Sequence, residues 1–354
     1  MAGGIGARFW PMSTSTHPKQ FIDILGTGET LIQQTYNRFL EICPPENIYV
    51  VTSEVYRDQV KEQLPTLDDS QILGEPFRRN TAPCIAYANQ KIFKKNPDAR
   101  IVVAPSDHII LKQDVFKKVI SEALDTVGKN DWLMTIGIKP NRPDTGYGYI
   151  QYNGEEKAHE ISDINKVKTF TEKPDLELAK TFVESGDFLW NAGIFIWSLK
   201  SINKAFNTYL PEVNDLFIDG IDAYDTENER DFIEKTYSLC QNISIDYGVM
   251  EKAQNVYVYA ADLGWSDLGT WGSLFAINDK DENNNAIIGE NVMTYKSKDC
   301  IINVPDNKLV VVQGLEDYIV VSKDDSLLIC KKEDEQMIRN IVNDVKIEKG
   351  EQYT

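Results

Sequence analysis

The chain has 354 residues, of which 42% are hydrophobic and 26% charged, and it carries a net charge of −18. Such proportions describe a globular protein with room for one large domain and a small one. The acidic balance excludes an extended nucleic-acid surface, which needs a basic stripe, and no run of about 18 apolar residues is present to span a membrane.

In chain order, the first signal is a glycine cluster, Gly3, Gly4 and Gly6, that runs into Arg8 and is followed in the same loop by Pro18-Lys19-Gln20. Met1 leads into these glycines and not into a charged and then apolar segment, so no signal peptide is read there. Glycines let consecutive N–H groups converge on a phosphate, and Arg8 and Lys19 add positive charge. The spacing is not that of a P-loop, because no Gly-Lys-Ser/Thr occurs, nor of a Rossmann turn, because the third glycine would fall at Phe9. Thr30 and Gln33 have the spacing of a helix capping box.

Alternation follows. Residues 47–53 read as a strand, 54–64 as a helix, 71–73 as a strand, 81–94 as a helix and 100–106 as a strand. Helical spacing at Val115, Phe116, Val119, Ile120, Leu124 and Val127 precedes a strand at 132–138. This pattern predicts βαβ units: an α/β, Rossmann-like, mostly parallel sheet covered by helices on both faces. Ligands of such sheets bind beyond the carboxyl ends of the strands, where the glycine loop, residues 74–82 and Ser106-Asp107-His108 fall. Residues 145–197 read as longer strands, and 199–240 as helices with an acidic solvated face (Asp219, Asp222, Asp225, Glu227, Glu229). A polar linker at 279–285 divides a first domain, 1–282, from a β-rich second one, 283–354, with a β-helix-like run of short strands and a closing helix at 333–345. That second domain is a candidate dimer surface.

Five scattered cysteines without C-x-x-C spacing argue for a reducing cytoplasm, and three histidines do not form a metal cage. Asp107, at the end of an apolar run, suits Mg²⁺ or a helix N-cap. Residues 74–83 offer groups to a base edge or form a plain loop-to-helix junction. Gly146 to Tyr149, Glu172-Lys173, Asn191 and Asp246 are each weak signals of a sugar-phosphate site, since Tyr-Gly-Tyr suits a turn and Glu-Lys a surface ion pair.

With Gly3-Gly4-Ile5-Gly6-Ala7-Arg8 and Pro18-Lys19-Gln20 together, the chain resembles the sugar-1-phosphate nucleotidyltransferase family, densely from Ala2 to about Phe275 and more loosely after it. The resemblance implies that fold, and guanylyl transfer from GTP to mannose 1-phosphate, giving GDP-mannose and pyrophosphate. It implies a Mg²⁺ ion, with Mn²⁺ an alternative, on Asp107 and Asp267. Arg8, Lys19, Asp107 and Lys173 would be catalytic. Ala2, Gly3, Gly4, Gly6, Glu75, Asn80, Thr81 and Ala82 would bind nucleotide, and Gly146, Tyr147, Glu172, Lys173, Asn191 and Asp246 the sugar phosphate. A homodimer, in the cytoplasm and without nucleic-acid or membrane partners, is expected.

The family also leads into the glycine loop by a hydrophobic strand, which here would lie before residue 1, so Met1 is expected to be an internal methionine or the start of a trimmed chain. The same chemistry on another hexose 1-phosphate or nucleotide stays open. So does a catalytically silent regulatory relative that binds GDP-mannose, although the charged residues such a protein would lose are all present. The short stretch after Asn283 lacks a His/Glu metal pattern, so a single activity is expected.

Overall fold

The computed structural model describes residues 1–157 and 163–354, and the side chains of these outside 153–157. They pack as two compact units. The first holds residues 1–3, 36–106 and 110–265, and the second 4–35, 107–109 and 266–354. The chain therefore passes between units at Gly3–Gly4 and at Ser106–Asp107, inside two of the sequence motifs. The units are interleaved in sequence.

Helix α1 is Leu31–Leu40; Gln33 Oε1 accepts from Thr30 N at 2.9 Å ahead of it, the expected capping contact. In the first unit come β1 (Val50–Ser53), α2 (Arg57–Gln63), β2 (Ile72–Glu75), α3 (Thr81–Lys95) and β3 (Arg100–Val103). After the short β4 (Ile109–Ile110) follow α4 (Gln113–Val127), β5 (Leu133–Ile138), β6 (Gly148–Lys157), β7 (Ile164–Glu172), α5 (Leu176–Ser185) and β8 (Phe188–Ser198). Next are α6 (Leu199–Tyr209), α7 (Pro211–Ile218), α8 (Glu229–Leu239), β9 (Val256–Ala260) and β10 (Trp265–Ser266). The expectation of longer strands over 145–197 is met by β6, β7 and β8; its portion at 158–162 lies outside the described residues.

Parallel pairing joins β1 to β2, and Ala2 bridges in parallel to Thr52. The six-stranded sheet, in the order β3-β8-β5-β9-β7-β6, is mixed: β5–β9 is parallel, whereas β3–β8, β5–β8, β7–β9, β6–β7 and β6–β8 are antiparallel. The alternating pattern locates strands but does not give their direction, and the long β8 runs back against three neighbours. Its side chains alternate between faces, as a pleat requires. Phe195 and Trp197 join the core of α3 and α6, and Ile194 and Ile196 the core of α4. Helices on both faces are found as expected.

The acidic run is largely the solvated face expected, with Asp219, Asp222, Asp225 and Glu227 exposed. Two of its members also serve a buried cation: Lys91 Nζ, only 2% exposed, lies 2.5 Å from Asp225 Oδ1 and 2.8 Å from Glu229 Oε2. A buried ammonium without a counter-charge is too costly to keep.

In the second unit, after α9 (Trp271–Ile277), come β11 (Ala286–Ile288), β12 (Val292–Tyr295), β13 (Ile301–Asn303), β14 (Val310–Gln313), β15 (Tyr318–Lys323), β16 (Ser326–Lys331) and α10 (Ile338–Lys349). Parallel registers Ala286↔Ile301↔Ile319 and Val292↔Val310 stack short strands coil on coil, as expected for a β-helix. The β15–β16 hairpin is antiparallel and α10 closes the region. Phe9, Trp10, Ile22, Ile24 and Leu31 share one core with Trp271, Ala286, Ile301, Ile319 and Ile338. That shared core is why the glycine loop belongs to the β-rich unit.

All five cysteines are free thiols, and no helix among the described residues is long and apolar enough to cross a membrane.

Candidate active site

The glycine loop is built in the second unit. Gly6 has φ +71°, and a Cβ placed there would lie 2.5 Å from the Lys19 Cβ, so both backbone conformation and space require glycine. Phe9 N donates to Gly6 O (2.9 Å), Ser13 Oγ donates to the same oxygen (2.6 Å), and Lys19 N donates to Ile5 O (3.3 Å). The loop is pinned further by Trp10 Nε1 on Tyr353 O (2.6 Å) and by Lys323 Nζ on Met12 O (3.0 Å). While the Ile5 and Gly6 carbonyls are taken, the amides of Gly4, Ile5 and Gly6 have no acceptor among the described residues. Three consecutive free amides, with Arg8 two positions on, offer donors and positive charge to an anion.

Lys19 organises the neighbouring carboxylates. Its Nζ lies 2.9 Å from Asp107 Oδ2 and donates to Asp267 O (2.8 Å) and Leu268 O (3.0 Å), while its side chain is 4% exposed and that of Asp107 29%. Burial would raise the Asp107 pKa, but the Lys19 ammonium and His108 outweigh it and hold the carboxyl below its ordinary value. Asp267 Oδ1 accepts from Gly269 N at 3.0 Å, folding its turn, in which Leu268 takes φ +45°. The structure thus brings together Gly4, Gly6, Arg8, Lys19, Asp107 and Asp267 within one unit.

The first unit holds the remaining candidates. Ala2 N donates to Val51 O (2.7 Å), and a Cβ on Gly3 would sit 3.5 Å from Glu75 Oε2. Glu75 ends β2, buried, and its Oε1 accepts from Tyr237 OH at 3.0 Å. Burial raises its pKa to about 7, against the opposing effects of the Tyr237 hydrogen bond and Arg78. Asn80 caps α3 with φ +68°, its Oδ1 accepting from Thr81 N at 3.0 Å. The Ala82 amide is taken by Ile243 O (3.1 Å), and Thr81 Oγ1 accepts from Ile245 N (2.8 Å). The Thr81 and Ala82 amides are therefore spent on holding the loop. Glu75 Oε2 is left as an acceptor.

Among the residues expected to meet the sugar phosphate, Asn191 Nδ2 donates to Asp246 Oδ1 (2.9 Å), and Asn191 Oδ1 accepts from Thr135 Oγ1 (2.9 Å). Burial, then the negative charge of Glu172, raises the Asp246 pKa to about 7. Lys173 Nζ lies 2.5 Å from Glu172 Oε1, with the lysine exposed and the glutamate 10% exposed. The Lys173 backbone has φ +49°, which seldom occurs at a lysine and turns the chain just after β7. Gly148 stands opposite Glu172 in the β6–β7 ladder, where a Cβ would come within 2.4 Å of Glu172 Oε2. Asp144 Oδ1 accepts from Gly146 N (2.9 Å), and Arg142 lies over the rings of Tyr147 (5.8 Å) and Trp190 (5.1 Å).

Sequence reasoning missed Ser13, Thr135, Arg142 and Tyr237. Each reaches its partner across a turn or from a distant element; Ser13 and Arg142 stand near Pro11 and Pro143, a signal that could have drawn attention to them.

A mixed sheet covered by helices, a glycine loop with free amides and a lysine-held aspartate together define a nucleotidyl transferase. The family model described as Nucleotidyl transferase matches residues 1–284, and that described as MannoseP isomerase/GMP-like beta-helix domain matches residues 290–345. A mannose-1-phosphate guanylyltransferase of Klebsiella pneumoniae is 36% identical over all of this chain and 74% of its own length. The alginate biosynthesis protein AlgA of Pseudomonas aeruginosa is 33% identical over 98% of this chain and 71% of its own. A solved structure from Thermus thermophilus, described as a mannose-1-phosphate geranyltransferase, superposes with a TM-score of 0.87 at 27% identity over 98% of each chain. The chain belongs to the mannose-1-phosphate guanylyltransferase family.

Proposed function

We propose that this protein transfers GMP from GTP to α-D-mannose 1-phosphate, giving GDP-mannose and pyrophosphate. The observation that carries this reading is the run of free amides at Gly4, Ile5 and Gly6 beside Arg8, with the Lys19–Asp107 pair in the same unit. Relatives that span the whole chain, named for this activity, support the choice of base and sugar.

The sugar phosphate has a second pKa near 6, so most of it is dianionic at neutral pH and needs no general base. One of its oxygens attacks the α-phosphorus of GTP, a new P–O bond forms, and the bond to the β-phosphate oxygen breaks to release pyrophosphate. The demand is charge neutralisation and alignment of two anions. The loop amides and Arg8 take the oxygens of the leaving phosphates, and Lys19 fixes the Asp107 carboxylate. Lys173 holds the attacking phosphate. Glu172, Asn191 and Asp246 receive sugar hydroxyls beside Gly146 and Tyr147, and Glu75 accepts from the N–H groups of guanine, with Ala2, Gly3, Asn80, Thr81 and Ala82 shaping that site.

Asp107 and Asp267 offer hard oxygen donors, and Asp107 is held in its ionised form, which fits a divalent cation. When bound, Mg²⁺ (or Mn²⁺) would neutralise phosphate charge there. A homodimer is part of this proposal.

The test is product identification by mass spectrometry after incubation with GTP, mannose 1-phosphate and Mg²⁺. GDP-mannose that is formed with the ion and lost with a chelator supports the reading; intact GTP under both conditions contradicts it.

A further inference from the structure

The β-rich unit holds the proposed phosphate loop, and its closing helix packs against that loop. Ile338, fully buried at the start of α10, shares one core with Phe9 and Trp10, and α10 packs on the Ala7–Phe9 turn. The residue beside Phe9 is Arg8, and the residue beside Ile338 is Arg339. The two guanidinium groups feel each other: Arg8 is the largest influence on Arg339, lowering its pKa, and burial is the second. Neither arginine has a carboxylate partner among the described residues. In a chain with 55 acidic and 37 basic side chains, that is an unusual pair to leave unneutralised. Arg8 Nε is moreover enclosed and without an acceptor among the described residues. Two guanidinium groups on neighbouring elements beside three free amides favour an anion that joins them.

We infer that Arg339, from the closing helix of the β-rich unit, completes the phosphate site with Arg8 and the Gly4–Gly6 amides, and binds the β- and γ-phosphates that leave as pyrophosphate. The inference rests on the proposed transferase reaction for its choice of anion. Arg339 thereby gives the C-terminal region a part in the site, beyond holding the loop. It is exposed, at the second position of α10, so replacing it removes no core contact.

The experiment measures binding of inorganic pyrophosphate by calorimetry, and in parallel the KM for GTP and for mannose 1-phosphate. Arg339→Gln is expected to weaken pyrophosphate binding and raise the KM for GTP by about tenfold or more, with the KM for mannose 1-phosphate unchanged. Arg339→Lys keeps the charge but not the planar fork and should recover part of the loss. Arg230→Gln, an arginine on α8, should change nothing. Unaltered pyrophosphate binding in Arg339→Gln, or a loss equal to that in Arg230→Gln, overturns the inference. Arg339-dependent pyrophosphate binding by a wild-type protein that makes no GDP-mannose would keep this inference and reject the transferase reading.

Discussion

Lys19 Nζ lies 2.9 Å from Asp107 Oδ2 while donating to two carbonyls, those of Asp267 and Leu268. One buried ammonium thus ties the turn after β3 to the turn before α9. Lys19→Met leaves the Asp107 carboxylate and both carbonyls without their partner, at a cost of about 2–4 kcal/mol. Both the denaturant midpoint and the turnover should fall. A variant of wild-type stability would remove Lys19 from this structural role.

Asp107→Asn keeps the shape and hydrogen-bonding capacity but removes the charge. It leaves the buried Lys19 ammonium without its counter-charge, so stability should fall, and turnover per folded molecule should drop on the order of 10³-fold. Near-normal turnover would take Asp107 out of the catalytic set.

Burial raises Glu75 to about 7, so in the free protein it is largely protonated below that pH and ionised above it. An acceptor for guanine N–H groups must be ionised to offer both oxygens. Affinity for GDP-mannose, a ligand whose diphosphate does not titrate near 7, should therefore rise as pH is raised through about 7. Glu75→Gln should flatten the profile. Tyr237→Phe removes a bond that favours the charged form, so its midpoint should move to higher pH. The same raised pKa makes folding less stable as pH climbs from the unfolded carboxyl value, about 4, to about 7, because there the native state binds the extra proton. Calorimetric titration from pH 6 to 8 checks the binding profile, and an identical slope in Glu75→Gln would contradict the assignment.

Gly6→Ala forces a Cβ against the Lys19 Cβ at φ +71°. A loss of about 1–3 kcal/mol and a collapse of GTP binding are expected, with the melting temperature and KM for GTP as the readouts. Lys91→Met, by contrast, strands the Asp225 and Glu229 carboxylates without their cation and should cost about 2–4 kcal/mol. Turnover per folded molecule should stay the same, since Lys91 has no place in the site.

The glycine loop was legible in the sequence because its signal is local: glycines, Arg8 and Pro18-Lys19-Gln20 stand within one short stretch. Helix α3 and the closing α10 were equally plain from their spacing. Strand direction was not, because periodicity is the same either way along a strand, and the return of β8 against β3, β5 and β6 is a property of topology. Nor was the partner of Glu75 legible, since Tyr237 looks like any aromatic on the apolar face of a helix until α8 packs against the end of β2. Lys91 shows the same limit from the other side: its demand for counter-charges converts two members of an ordinary acidic run into its ion-pair partners. The grouping of Phe9 and Trp10 with Ile301 and Ile319 depends on chain folding across almost the full sequence, beyond the reach of any local pattern.

The most direct measurement is pyrophosphate release with Mg²⁺, crossing the four nucleoside triphosphates against mannose, glucose and other hexose 1-phosphates. The account predicts a clear maximum of kcat/KM at GTP with mannose 1-phosphate. A maximum at another pair, or no release from any, would contradict it.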